Sequence, residues 1–117
     1  TLDQANDGDP VLAVGRQLRH MAALSGSMLR NAVRAADEMD PGLARSVLER
    51  DAELDAEFAA ALRLVMSYVL QDHRFLRPTI DTIFALKGLE RIGDHATNIA
   101  EQVLYMMGQG RQQADAA

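Results

Sequence analysis

The stretch Leu89-Glu-Arg-Ile-Gly-Asp-His-Ala-Thr-Asn-Ile-Ala-Glu101 holds Glu90, Asp94 and Asn98 four residues apart inside an unbroken helical pattern. Side chains at that spacing stack on one face of a helix, one turn above another. Glu90 and Asp94 carry like charges, a pairing that costs roughly 0.2–0.5 kcal/mol when nothing lies between them. The ladder is therefore either tolerated on a solvated face or used to hold a cation, and the length of helix needed to carry it points to a helical domain.

Composition agrees with that class. The chain has 117 residues, 48% hydrophobic and 25% charged, with aromatics at only 4%. That length suits one domain with its own core, and the Ala, Leu and Met content favours helices over a sheet. Net charge is −5 and the bases are scattered among acids, so the footprint of a nucleic-acid binder is missing. The absence of cysteine excludes disulfides, Cys-based zinc sites and thiol catalysis. No apolar run approaches the ~18 residues of a membrane span and no signal peptide heads the chain. The expectation is a cytoplasmic protein without membrane insertion.

Working outward from the ladder, residues 1–8 are polar, acidic and aperiodic, and read as a linker or disordered N-terminus. The three-helix unit covers 9–110. Asp9-Pro10 supplies a helix start, and the first helix runs to about Glu38 with an inner seam of Val14, Leu18, Met21, Ser25, Met28, Ala32, Ala35 and Met39. Asp40-Pro41-Gly42 ends it and caps the second helix, in a connection short enough to force a hairpin. The second helix runs to about Gln71, its seam being Val47, Asp51, Leu54, Phe58, Ala61, Val65 and Tyr68, with Asp55 one turn further along the same side. A helical wheel puts both aspartates at the edge of the apolar stripe.

The third helix starts between His73 and Pro78 and continues to Met107, where Gly108 and Gly110 supply the stop. Its predicted core seam is Ala85, Leu89, Ile92, Ala96, Ile99, Val103 and Met106. Glu90, Asp94 and Asn98 then fall opposite that seam, in line with Leu76, Ile80, Ile83 and Tyr105, so this helix is apolar on two sides. Residues 111–117 read as a disordered tail. Short loops make sequential helices antiparallel, and the predicted fold is an all-α, up-down-up three-helix bundle.

That topology tests the ladder independently. Pairing the second and third helices about a turn near His73 sets Asp55 level with Glu90 and Asp51 level with Asp94, so the groove between them would gather four carboxylates. An oxygen-only donor set without imidazole or thiolate suits Mg, Ca, Mn or Fe better than a structural zinc. The plain alternative is a solvated acidic face neutralised by Arg50, Lys87 and Arg91, and spacing alone does not separate the two. A di-iron enzyme bundle needs Glu-x-x-His on two helices, which no glutamate here provides. His95 points away from the Glu90–Asp94 line, His20 and His73 read as surface histidines, and no serine has a histidine–carboxylate arrangement around it. No catalytic residue is expected.

The run from Ala85 to Glu101 resembles the signature of the PhoU family of phosphate-uptake regulators. Glu49-Arg-Asp-Ala-Glu-Leu-Asp55 is similar to that family's second-helix motif, and Met66-Ser-Tyr68 with Asp72 and Pro78 fits its second hairpin. The resemblance covers about Val11 to Gly110. It implies a fold of two repeated three-helix bundles whose paired acidic motifs carry divalent or multinuclear metal, Fe, Zn, Mn or Mg. By the same resemblance Asp51 and Asp55 take the second-helix positions and Glu90 and Asp94 the third-helix positions. Asn98 stands where an acid is often found one turn later. One repeat is present here, and Tyr105-Met-Met-Gly108 favours the second. The implied role is a non-enzymatic negative regulator of the phosphate-starvation response, with a phosphate ABC transporter ATPase and a sensor histidine kinase as partners. The chain is expected to form a homodimer or to pair with a missing second repeat through the second apolar face. A metal-storage or metal-buffering bundle, and a metal-free interaction module, are the alternative readings.

Overall fold

The computed structural model describes residues 10–108, which form α1 (Pro10–Glu38), α2 (Pro41–Gln71) and α3 (Leu76–Met106), with a 3-10 turn at His73–Phe75 before α3. The expected linker, the Asp9 cap, the Gly110 stop and the tail lie outside the described residues. Each helix packs against both others, so the up-down-up bundle is the observed architecture. Among the described residues no helix is long and apolar enough to cross a membrane.

Local chemistry sets both hairpins. At the end of α1 the Asp40 N–H donates to the Ala35 carbonyl at 2.9 Å across Met39, which takes the left-handed conformation at φ 51°. That six-to-one bond with a left-handed residue is how helices commonly satisfy their last carbonyls. Met39 has therefore left the helix and is 41% exposed, not the last step of the α1 seam. The Asp40 carboxylate then accepts the Leu43 N–H at 3.1 Å and Pro41 occupies the first turn of α2. At the second hairpin the Asp72 N–H donates to the Tyr68 carbonyl at 3.0 Å, closing α2. The Asp72 carboxylate accepts the Arg74 N–H at 3.0 Å and pairs with its guanidinium. These bonds hold the Asp72 carboxyl down at about 2. Tyr68 and Phe75 meet edge to face with centroids 6.3 Å apart. Gly108, at φ 90°, ends α3 as its position in the sequence implied.

The core contains Met21, Leu24, Met28, Ala32 and Ala35 from α1 and Ala44, Val47, Leu54, Phe58, Ala61 and Val65 from α2. Both seams follow the sequence pattern. The α3 seam does so only at Ala96 and Val103. The buried residues are Thr79, Leu86, Gly93, Ala96, Ala100 and Val103, while Ala85 and Met106 are exposed and Leu89, Ile92 and Ile99 sit at the flanks. The cause is Gly93. A Cβ built there would overlap Leu54 Cδ2, with Met28 Cε also 3.9 Å away. Lacking a side chain, Gly93 lets a fully buried leucine close on the α3 backbone, and the helix turns its small face inward instead of its bulkiest one. Lys87 lies over the Phe58 ring, 5.0 Å from its centroid, one step along the same register.

Gly93→Ala and Gly88→Ala should act in opposite directions, because the site of Gly88 is open and that of Gly93 is filled. Gly88→Ala should stabilise by up to about 1 kcal/mol through helix propensity alone. At Gly93 an overpacking cost of about 1–3 kcal/mol outweighs the same gain. Thermal unfolding of the two variants measures the difference. Equal shifts would mean that Leu54 does not rest on α3.

Candidate functional site

Asp51 sits half-buried three residues before Leu54, and Glu90 and Asp94 flank Gly93 on the facing helix. The packing that seats Leu54 against Gly93 therefore brings both acidic pairs to one height along the α2–α3 groove. Burial first, then the carboxylates of Asp55, Asp94, Glu90 and Glu101, push the Asp51 carboxyl above its ordinary 3.8. Asp51 thus feels Asp55, Glu90 and Asp94, and Glu101 as well. That residue was missed from the sequence, although it lies seven residues after Asp94 on the same helix face. Asn98 is exposed on α3 one turn beyond Asp94.

The expected neutralisers are only partly engaged. Lys87 Nζ lies 3.4 Å from Glu90 Oε1, but Arg50 pairs with Glu53 at 3.7 Å. Among the described residues no ion pair forms to Asp51, Asp55 or Asp94. The donors are all oxygen and the groove is negative, which fits a hard cation. Among the described residues no three acid or imidazole heads converge on one point in the way a single ion would require. The carboxylates are arranged as a ladder along the groove.

Other polar groups are accounted for locally. The hydroxyls of Ser25, Ser46 and Ser67 donate to the carbonyls of Ala22, Leu43 and Leu64, so none is paired with a base. His20 meets Glu57 at 3.4 Å and Gln17 donates to the same carboxylate, tying α1 to α2. His73 and His95 are exposed, as expected. The second apolar face of α3 is real but divided. Leu76, Ile80 and Tyr105 are exposed and Ile83 is half-buried, with the acidic ladder interrupting the stripe between Ile83 and Tyr105.

A family model described as "PhoU domain" matches residues 18–103. This chain belongs to the PhoU domain family. It is 42% identical over 98 residues to the phosphate-specific transport system accessory protein PhoU homolog of Xylella fastidiosa, covering 84% of this chain and 41% of that protein. It is 40% identical over 91 residues to the protein of the same name from Pseudomonas aeruginosa, covering 78% and 38%. The crystal structure of PhoU from Pseudomonas aeruginosa superposes with a TM-score of 0.74 at 40% identity, over 76% of this chain and 43% of that one. The chain spans about two fifths of the length of the curated relatives it matches. Its PhoU domain is the three-helix bundle described above.

The raised Asp51 carboxyl has a signed consequence. The folded state binds this proton more tightly than the unfolded chain, so Asp51 subtracts stability as pH rises from 3.8 through its folded value. Asp51→Asn should raise the melting temperature of the metal-free chain at neutral pH and leave it unchanged at pH below both values. A drop at neutral pH would show that the carboxylate has a stabilising partner.

Proposed function

We propose that this PhoU domain is a regulatory module of phosphate uptake that acts through protein contacts and catalyses no reaction. In this reading it works in the cytoplasm, contacts the ATPase of a phosphate ABC transporter and a sensor histidine kinase, and helps to repress the phosphate-starvation response. Relatives named as accessory proteins of a phosphate-specific transport system support the setting. The observation that supports a site is Asp51, whose carboxyl is raised first by burial and then by four neighbouring carboxylates, with Lys87 on Glu90 the one ion pair to the ladder acids among the described residues. Asp51, Asp55, Glu90 and Asp94 would hold one or more divalent or multinuclear metal ions, of Fe, Zn, Mn or Mg type, with Asn98 as a neutral oxygen donor. A bound cation would supply positive charge that cancels the repulsion between the two helices. The chain's own contribution is to fix the two acidic pairs at one height through the Leu54–Gly93 contact.

Asp94→Asn should lower divalent-metal content, measured by elemental analysis after purification without chelator, and should leave the metal-free bundle no less stable. A metal-free variant that melts well below the parent would make Asp94 a structural partner. Loss of metal with intact phosphate-dependent repression would favour a metal-buffering bundle.

Association with a second copy, or with a second such repeat, completes the proposal. Tyr105, Met106, Val33 and Met39 are all more than 40% exposed at the α1–α2 hairpin end. The Arg34–Glu38 pair beside them is internally neutralised, which leaves exposed Asp37 as the charge that an isologous contact there must keep at its rim. Sedimentation at high micromolar concentration should find a dimer, and Met106→Glu with Tyr105→Glu should shift it to monomer with helical circular dichroism retained. A monomeric parent chain would overturn this part.

A further inference from the structure

The end of the bundle that carries the α2–α3 hairpin holds a cleft of about 150 Å³ between all three helices. Val14 and Leu18 of α1, Val65 and Tyr68 of α2, Phe75 of the 3-10 turn and Pro78 of α3 give it an apolar wall. Val65 is eleven residues beyond Leu54 on α2, about 16 Å along the helix, so the cleft is separate from the acidic groove. No charged side chain lines it, and an ionic ligand would lose its hydration there without gaining a counter-charge.

A bare backbone and an unpartnered hydroxyl mark this space. Gly15 leaves the α1 wall open, since a Cβ built there would meet only the Arg19 guanidinium, at 3.8 Å. At Gly93 the missing side chain is replaced by Leu54, whereas at Gly15 no core residue moves in. On α3 the Thr82 hydroxyl donates to the Pro78 carbonyl at 2.8 Å. Thr79, which also lines the cleft, is only 7% exposed, and among the described residues its hydroxyl has no hydrogen-bond partner. No polar side-chain atom sealed inside the described bundle lacks a partner. The Thr79 hydroxyl therefore keeps contact with open space, and the cleft it lines is that space.

The size and the wall select the ligand. An apolar cavity of about 150 Å³ takes a benzene-sized ring. Tyr68 and Phe75, edge to face on one side of the cleft, offer ring surface to such a molecule. A water placed there would have Thr79 and little else, whereas a stable buried water makes about three hydrogen bonds. A side chain from a protein partner would bring its peptide groups against the apolar wall, where they would go unpaired.

We propose that the cleft binds one small, uncharged aromatic molecule of phenol type, its ring against Tyr68 and Phe75 and its hydroxyl sharing a hydrogen bond with Thr79. Titration of the 117-residue chain with phenol, followed by methyl nuclear magnetic resonance, tests it. Shifts at Val14, Leu18 and Val65 should saturate, while exposed Val33 at the far end should not respond. Phenol should bind about three- to tenfold more tightly than benzene, the range that one net hydrogen bond supplies. Thr79→Val should remove that preference and keep benzene binding. It should not lower the melting temperature, because the hydroxyl it replaces has no partner in the bundle. Gly15→Leu, which fills the space, should abolish binding of both molecules with helical circular dichroism retained. Shifts that fail to saturate, a preference unchanged in Thr79→Val, or a Thr79→Val chain that melts well below the parent overturns the proposal. So does tighter binding of N-acetyltyrosinamide than of phenol, which would give the cleft to a tyrosine side chain of a partner protein.

Discussion

Leu54 resting on the bare backbone of Gly93 is the contact on which the other features depend. It needs a fully buried leucine on one helix and the absence of a Cβ on the other. Burying such a side chain contributes roughly 1.5–3 kcal/mol, more than the few tenths that each like-charge pair in the groove takes back. The packing wins, and the acids are neighbours because they are one or three residues from Leu54 and one or three from Gly93. Repulsion in the groove is a consequence of the core and is tolerated by it.

The same contact marks where the chain could be read and where it could not. Asp40, Pro41 and Asp72 announce both hairpins through cap chemistry that acts within three residues, and their bonds are as the side chains dictate. The α1 and α2 seams are legible because bulk and burial coincide there. On α3 they part. A reading that follows bulky residues chose Leu89, Ile92 and Ile99 and passed over Gly93, whose contribution is an absence. The level of the ladder depends on the turn at His73, not on the rotation of α3. Glu101 escaped because it is two turns from Asp94, beyond the four-residue step that defined the ladder. Phe84 lies outside the Leu76, Ile80, Ile83 and Tyr105 line that defined the second face, and the exposed residues cluster at the two ends of the rod with charge between them.

The polar side chains inside the described bundle are engaged locally, and its distinctive features are surfaces. Serine hydroxyls are occupied by helix carbonyls, and His20 serves as a link between α1 and α2. What distinguishes the molecule is the order of properties along its length: an acidic middle between two ends that expose apolar side chains among charges of both signs.

Anomalous diffraction at the Fe and Zn edges, on crystals of protein purified without chelator, addresses the acidic middle most directly. Peaks should lie in the α2–α3 groove among Asp51, Asp55, Glu90 and Asp94, level with the Leu54–Gly93 contact. Peaks confined to other side chains, or a groove in which Arg50 or Arg91 has folded onto the carboxylates in place of a metal, would contradict it.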